Sequence, residues 1–270
     1  QGRLSRANGL SKTTTTGVRA GCSCSGRAAA HSVFFGENRG KLEAPAVAAH
    51  RPKRAQGEKM SKTVLYDYWR SSASYRLRIA LNLAGITYTA VSIDLVKGEH
   101  KSPGHLARNP QGFVPVLEID GLRLTQSLAI LEYLDTTRSL GLLPQEPAER
   151  AKAQALAHAI AVDIHPVCNQ QAAAYAVQLT DGREGVREAW MQHFITPGLK
   201  AFEALLGGYG QAPYCTGENI SLADICLMPQ LYNARRWSAD FSDCPRILGV
   251  EKALAAHPAF DAARPEAVQP

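Results

Sequence analysis

Tyr68-Trp69-Arg70-Ser71-Ser72-Ala73-Ser74-Tyr75-Arg76-Leu77-Arg78-Ile79-Ala80-Leu81 is the stretch on which the fold turns. A short β-type run over residues 63–68 leads into it, and Ser71-Ser72 reads as a turn and cap. Residues 74–84 then carry helical spacing, with Leu77, Ala80, Leu81 and Ala84 on one face. Hydroxyls therefore sit where a strand hands over to a helix. A helix start presents unpaired N–H groups and partial positive charge, which together can hold an anion such as a thiolate. Moving a thiol pKa from about 8.5 to about 6.5 is worth about 2.7 kcal/mol and makes thiolate the majority species at neutral pH. Taken alone, the serines read as a plain N-cap.

Working outward, residues 88–95 read as a second strand and 114–119 as a third. Asp120-Gly121 is a tight-turn signal into a fourth strand at 122–125, and 126–138 closes with a helix. The order β-α-β, hairpin, helix predicts a thioredoxin-like α/β domain over residues 62–140. Leu142-Leu143-Pro144-Gln145 reads as a linker. Helical patterns at 147–176, 184–206, 221–237 and 246–256 predict an all-α domain over residues 148–262.

The net charge of +6 is unevenly placed. Residues 1–59 hold 11 Lys or Arg against 3 Asp or Glu, leaving 19 basic and 21 acidic groups beyond them, a balance of −2. The body thus lacks the bulk charge of a nucleic-acid binder. Residues 1–59 carry no persistent period, and their first acid is Glu37. They are expected to be a disordered extension: a transit peptide, a tag, or an upstream frame translated in error before Met60. No apolar run reaches the roughly 18–20 residues of a bilayer span, so no membrane partner is expected. The six cysteines, Cys22, Cys24, Cys168, Cys215, Cys226 and Cys244, lack paired ligand spacing. They imply free thiols in a reducing, cytoplasmic compartment and no metal.

Two further elements carry chemistry. Pro115 cannot donate to a sheet ladder, which reads either as an edge-strand proline or as a cis bond exposing the Val114 backbone to an extended peptide. Gln126-Ser127 begins a helix just after a hairpin, where free N–H groups and a hydroxyl can hold a carboxylate, or simply cap the helix.

In this order the three elements resemble the glutathione-binding domain of cytosolic glutathione transferases. Ser71-Ser72-Ala73-Ser74-Tyr75-Arg76-Leu77-Arg78-Ile79-Ala80-Leu81 is similar to the zeta class, which includes maleylacetoacetate and maleylpyruvate isomerases. The resemblance covers about residues 61–262. It includes Asn109-Pro110 and Ser221-Leu222-Ala223-Asp224, the latter a capping-box variant read as a folding element. It implies glutathione as cofactor, a small dicarboxylic acid as substrate, a homodimer, and a place in aromatic amino acid catabolism. Ser71 or Ser72 would hold the sulfur, with Ser72 preferred. Val114, ahead of a cis Pro115, would pair with the cysteinyl part, and Gln126 and Ser127 with the γ-glutamyl end. His100 falls where the family places a polar side chain toward the glycyl end. His165 and Asn169 fall where bacterial members line the cleft. Arg70 and Arg236 would meet substrate carboxylates, with Arg235 an alternative to Arg236. Arg76, between apolar neighbours, reads as half of a buried structural pair, and residues 97–101 as a solvated charged loop.

Two departures stand out. Ala73 occupies a position that is Cys in many zeta members, which removes any protein-thiol step there. Gln170-Gln171 occupies a stretch where maleylpyruvate-type members can carry arginine. The implied reaction is isomerisation of maleylacetoacetate to fumarylacetoacetate by thiolate addition, bond rotation and elimination. Rival readings are maleylpyruvate isomerisation, general glutathione transfer or α-halo acid dehalogenation on the same site. A non-enzymatic binding module of this fold is a third, set against the intact Ser71-Ser72, Val114-Pro115 and Gln126-Ser127.

Overall fold

The computed structural model describes residues 62–210 and 213–270, so the expectation for residues 1–59 lies outside the described residues. Strand β1 (Val64–Asp67) is followed by α1 (Ser72–Leu83) and β2 (Thr89–Ser92). A 3-10 turn at Glu99–Lys101 and the short α2 (Pro103–Leu106) lead to β3 (Val116–Ile119), β4 (Leu122–Thr125) and α3 (Ser127–Arg138). The sheet order is β2-β1-β3-β4. β1 runs parallel to β2, while β3 is antiparallel to both β1 and β4. Asp120 and Gly121 turn the β3–β4 hairpin at φ 53° and 77°, the paired positive values of a type I′ turn. This is the thioredoxin-like order expected from the sequence.

The remaining elements are helical: α4 (Pro147–His158), a π-helical segment (Ala159–Ile164), α5 (His165–Val167), α6 (Gln170–Gln178), α7 (Val186–Leu206), α8 (Leu222–Arg236), α9 (Pro245–Ala255), α10 (Pro258–Asp261) and α11 (Pro265–Val268). The expected helix over 147–176 is thus interrupted. A Cβ on Gly198 of α7 would lie 2.5 Å from the Ile164 side chain. Only glycine lets α7 approach that closely, and the π-helical segment lies on the other side of this contact. Asp224, fully buried, accepts from the Ser221 N–H at 2.8 Å, the Ser221 hydroxyl at 2.6 Å and the Cys215 N–H at 2.9 Å. It holds the start of α8, the folding role expected of it.

Helix α1 is the centre of the molecule. Residues Ser74 through Leu81 are all buried, because α3, α8 and α10 pack around it. The chain end ties back onto it: Asn82 Nδ2 donates to the Ala259 carbonyl at 3.0 Å and Arg78 Nε to the Ala263 carbonyl at 2.9 Å. Arg78 also donates from Nη1 to both Asp67 oxygens, at 3.0 and 2.8 Å, and from Nη2 to the Trp69 carbonyl at 3.0 Å. The buried ion pair is therefore Arg78–Asp67. Arg76, expected in such a pair, has no acidic partner among the described residues. Residues two apart on a helix do not share a face, so the two arginines cannot share one acid.

Candidate active site

The start of α1 is built as an anion holder. Ser71 is its N-cap: its hydroxyl oxygen accepts from the Ser74 N–H at 3.2 Å. The Ser72 and Ala73 N–H groups have no hydrogen-bond partner among the described residues. The Ser72 hydroxyl is not the cap, and it reaches the Pro229 carbonyl on α8 at 3.5 Å. Ser74 is fully buried with an unpartnered hydroxyl. Arg70, exposed, stacks over Trp69 at 4.0 Å.

The Val114–Pro115 bond is cis, and it precedes β3 rather than lying in it. A rigid loop presents it. His105 Nε2 and Asn109 Nδ2 each lie 3.0 Å from the Phe113 carbonyl, while Asn109 Oδ1 accepts from the Gln111 N–H at 3.1 Å. Gly112 has φ 66°, and a Cβ there would sit 3.2 Å from the His100 carbonyl. No hydrogen bond joins the Val114 backbone to another described residue, so its polar groups are open to an extended peptide. His100 is 8 % exposed, and its Nδ1 is unpartnered. Burial, then Lys101 and His105, lowers its pKa. The solvated loop expected at 97–101 therefore turns its histidine inward beside the Val114 loop.

Gln126 precedes α3 with φ 67° and ψ 108°, a conformation that side-chain-bearing residues avoid and that stores about 1–3 kcal/mol. Its side chain donates to Gln111 Oε1 at 2.8 Å, coupling the start of α3 to the Val114 loop. The N–H groups of Ser127, Leu128 and Ala129 have no partner among the described residues. The buried Ser127 hydroxyl oxygen accepts from Arg76 Nη1 at 3.2 Å.

Helix α8 supplies the other wall. Pro229, Tyr232 and Arg236 are spaced three and four apart, so they share a face, and the Pro229 carbonyl brings α8 against Ser72. Arg236 is exposed overall, yet partial desolvation of its guanidinium, then the charges of Arg70 and Arg187, lower its pKa. Arg236 also lies over the Trp237 ring at 4.9 Å, Glu266 bonds the neighbouring Tyr232, and Arg70, Arg187 and Arg236 form no ion pair among the described residues. Arg235 is excluded from the cluster, because both Glu251 oxygens hold it at 2.9 and 2.5 Å. His165 is part-exposed, yet burial first and the Arg76 charge second press its pKa down to about 3. The Oδ1 of Asn169 caps α6 by accepting from Ala172 N–H at 2.9 Å.

Arg187, Tyr232 and the environment of Arg76 were not singled out from sequence. Arg187 sits in an exposed charged stretch, and only its approach to α8 distinguishes it. Tyr232, at i−4 from Arg236, was available from helical spacing alone.

Residues 61–136 match the family model of the glutathione S-transferase N-terminal domain. Over 211 residues the chain is 52 % identical to maleylacetoacetate isomerase of Rhizobium meliloti strain 1021, covering 78 % of this chain and 99 % of that one. The chain belongs to the zeta-class glutathione transferases of the maleylacetoacetate isomerase family. Among solved zeta-class structures it is similar to a bacterial maleylpyruvate isomerase in its holo form. The TM-score is 0.74 and the identity 38 %, over 76 % of this chain and 98 % of that one. It is likewise similar to maleylacetoacetate isomerase of Methylobacterium extorquens AM1 with bound malonate and glutathione. There the TM-score is 0.73 and the identity 37 %, over 77 % of this chain and 98 % of that one. The open backbone groups lie at the start of α1, at Val114 and at the start of α3.

Proposed function

We propose that this chain isomerises maleylacetoacetate to fumarylacetoacetate, with glutathione as coenzyme. The observation that carries the reading is that the Ser72 hydroxyl meets α8 at the Pro229 carbonyl, while Arg236 on the same helix feels the charges of Arg70 and Arg187 and none of the three forms an ion pair among the described residues. A guanidinium binds a carboxylate bidentately, so the cluster suits a small substrate with two acidic ends. The relative from Methylobacterium extorquens binds malonate, a dicarboxylate, together with glutathione.

The residues present fit glutathione. Ser72, and Ser71 beside it, would face the sulfur, Val114 the cysteinyl part, and Gln126 and Ser127 the γ-glutamyl end. His100, His165 and Asn169 complete the proposed set. When bound, glutathione supplies a thiolate that adds to the cis double bond and leaves after rotation. The chain's own part is to stabilise that thiolate with the Ser72 hydroxyl and the α1 N–H groups, and to anchor the acid with arginines. His165, neutral above pH 4, can accept or donate a hydrogen bond without adding charge.

The proposal extends to a two-domain division, residues 62–140 and 148–262, and to a cytoplasmic homodimer. The described cysteines, Cys168, Cys215, Cys226 and Cys244, are free and buried, which supports a reducing compartment. No described helix is long and apolar enough to cross a membrane. Assay of the purified chain with maleylacetoacetate, with and without glutathione, and with maleylpyruvate in parallel, tests the reading. Turnover only with glutathione, and faster on maleylacetoacetate, is the expected result. Faster turnover of maleylpyruvate would reverse the substrate assignment.

A further inference from the structure

Arg76 and Arg78 stand two residues apart on α1, both almost wholly buried, and they are treated oppositely by the fold. Every nitrogen of Arg78 is bonded, and Asp67 neutralises it. Arg76, 2 % exposed, makes one hydrogen bond, from Nη1 to the Ser127 hydroxyl, while Nε and Nη2 have no partner. The groups facing it offer no negative charge. From α8 comes the Cys226 thiol, whose pKa burial raises, and from the start of α5 the neutral His165. A buried cation without a counterion is expensive, and buried unpartnered groups of this kind call for an explanation.

We infer that Arg76 is a positioning residue for the ligand's α-carboxylate, and that this carboxylate is its missing counterion. The inference rests on the glutathione reading above. Its geometry begins at Ser127. The Nη1–H donates to the Ser127 oxygen, so the Ser127 O–H must point elsewhere. Beside it lie the three unpartnered N–H groups at the start of α3. Hydroxyl and amides together form a set of donors with the Arg76 charge directly behind it. A neutral amide or hydroxyl brought there would satisfy a donor but return no charge. A carboxylate does both, and the γ-glutamyl end of glutathione carries one. Arg76 does not touch the reacting atoms. It sets the direction of a hydroxyl and supplies the field that makes the site selective for an anion.

The test compares glutathione with 4-aminobutanoyl-cysteinylglycine, the same molecule without its α-carboxylate. Calorimetric binding of both is measured to the unaltered chain, to Arg76→Met, and to Arg76→Gln, which keeps a donor for Ser127 without the charge. The unaltered chain should prefer glutathione by about tenfold or more. Both variants should lose most of that preference. In steady-state assays the KM for glutathione should rise with kcat little changed. Without ligand, Arg76→Met should melt at or above the unaltered chain, because a buried charge has been removed. An undiminished preference in both variants would overturn the inference and leave the glutathione reading standing, as would melting well below the unaltered chain with the preference intact. If the unaltered chain does not bind glutathione, both fall.

Discussion

The Ser72 hydroxyl lies 3.5 Å from the carbonyl oxygen of Pro229, a residue 157 positions further along the chain. The contact joins the start of α1 to the middle of α8. It is at the outer limit of hydrogen-bond length, so the hydroxyl is held loosely and is free to turn to a stronger acceptor. A thiolate is such an acceptor. Ser71 is committed differently, as the cap that accepts from Ser74 N–H. Ser72→Ala should therefore raise the pKa of the bound thiol and lower kcat by tenfold to a hundredfold, a loss of about 1.5–3 kcal/mol. Ser71→Ala should lower stability by about 1 kcal/mol through the lost cap. Ser74→Ala should leave turnover nearly unchanged. Thiol titration by ultraviolet difference, with melting curves, separates the three. Equal small losses for Ser72→Ala and Ser74→Ala would show that the helix end works without the hydroxyl.

Arg78 governs stability rather than turnover. Arg78→Met leaves the Asp67 carboxylate buried and unpaired, and it frees the Trp69 and Ala263 carbonyls from their donor. The expected loss is about 3–5 kcal/mol, as for other buried pairs broken from one side. Adding Asp67→Leu should recover part of it, since no charge then remains buried. Urea denaturation of the single and double variants measures both terms. A single variant within 1 kcal/mol of the unaltered chain would contradict this account.

His165 makes stability depend on pH with a definite sign. The unfolded chain takes up a proton there near pH 6.5, the folded chain only near pH 3. Between those values the unfolded state holds more protons, so stability rises with pH across the window. His165→Asn removes the term, and its urea midpoint should vary less between pH 4 and pH 7 than that of the unaltered chain. The same depressed pKa means that an activity loss between pH 5 and 7 comes from another group. Identical pH slopes in the two proteins would show that folding leaves the His165 pKa unshifted.

Much of this was legible in the sequence where local chemistry decides the outcome. Asp120-Gly121 fixes its hairpin because few other pairs adopt two consecutive positive φ values, and Ser71 caps α1 because its oxygen reaches the N–H three residues on. The segments α2, α10 and α11 each span one turn, too short for a 3.6-residue period to repeat. The break between α4 and α6 depends on α7 approaching at Gly198, a contact no local window contains. Arg76 and Arg78 look alike in sequence, and only the position of Asp67 tells which is neutralised. His100 lies among charges, yet the Gly112 turn packs against its backbone and the ring is enclosed.

The arginines decide the substrate. Arg235 and Arg236 are neighbours on α8, but Glu251 holds the first through both oxygens, while the second shares its surroundings with Arg70 and Arg187. None of Arg70, Arg187 and Arg236 forms an ion pair among the described residues, so an incoming dicarboxylate can relieve their mutual repulsion. Arg70→Ala, Arg187→Ala and Arg236→Ala should each lower kcat/KM for maleylacetoacetate by about tenfold to a hundredfold, or about 1.5–3 kcal/mol for one charge-assisted contact. Conjugation of a neutral electrophile needs the thiolate but has no carboxylate to anchor, so it should change far less. Arg235→Ala should leave both reactions nearly unchanged and reduce stability slightly, since its pair is exposed. Losses should be less than additive in double variants if two arginines grip the same carboxylate, and additive if they grip opposite ends. Steady-state kinetics on both substrates for the four single variants measures this. If the neutral substrate suffers as much as the acid, the arginines support the cleft rather than the substrate, and the choice of a dicarboxylate loses its footing.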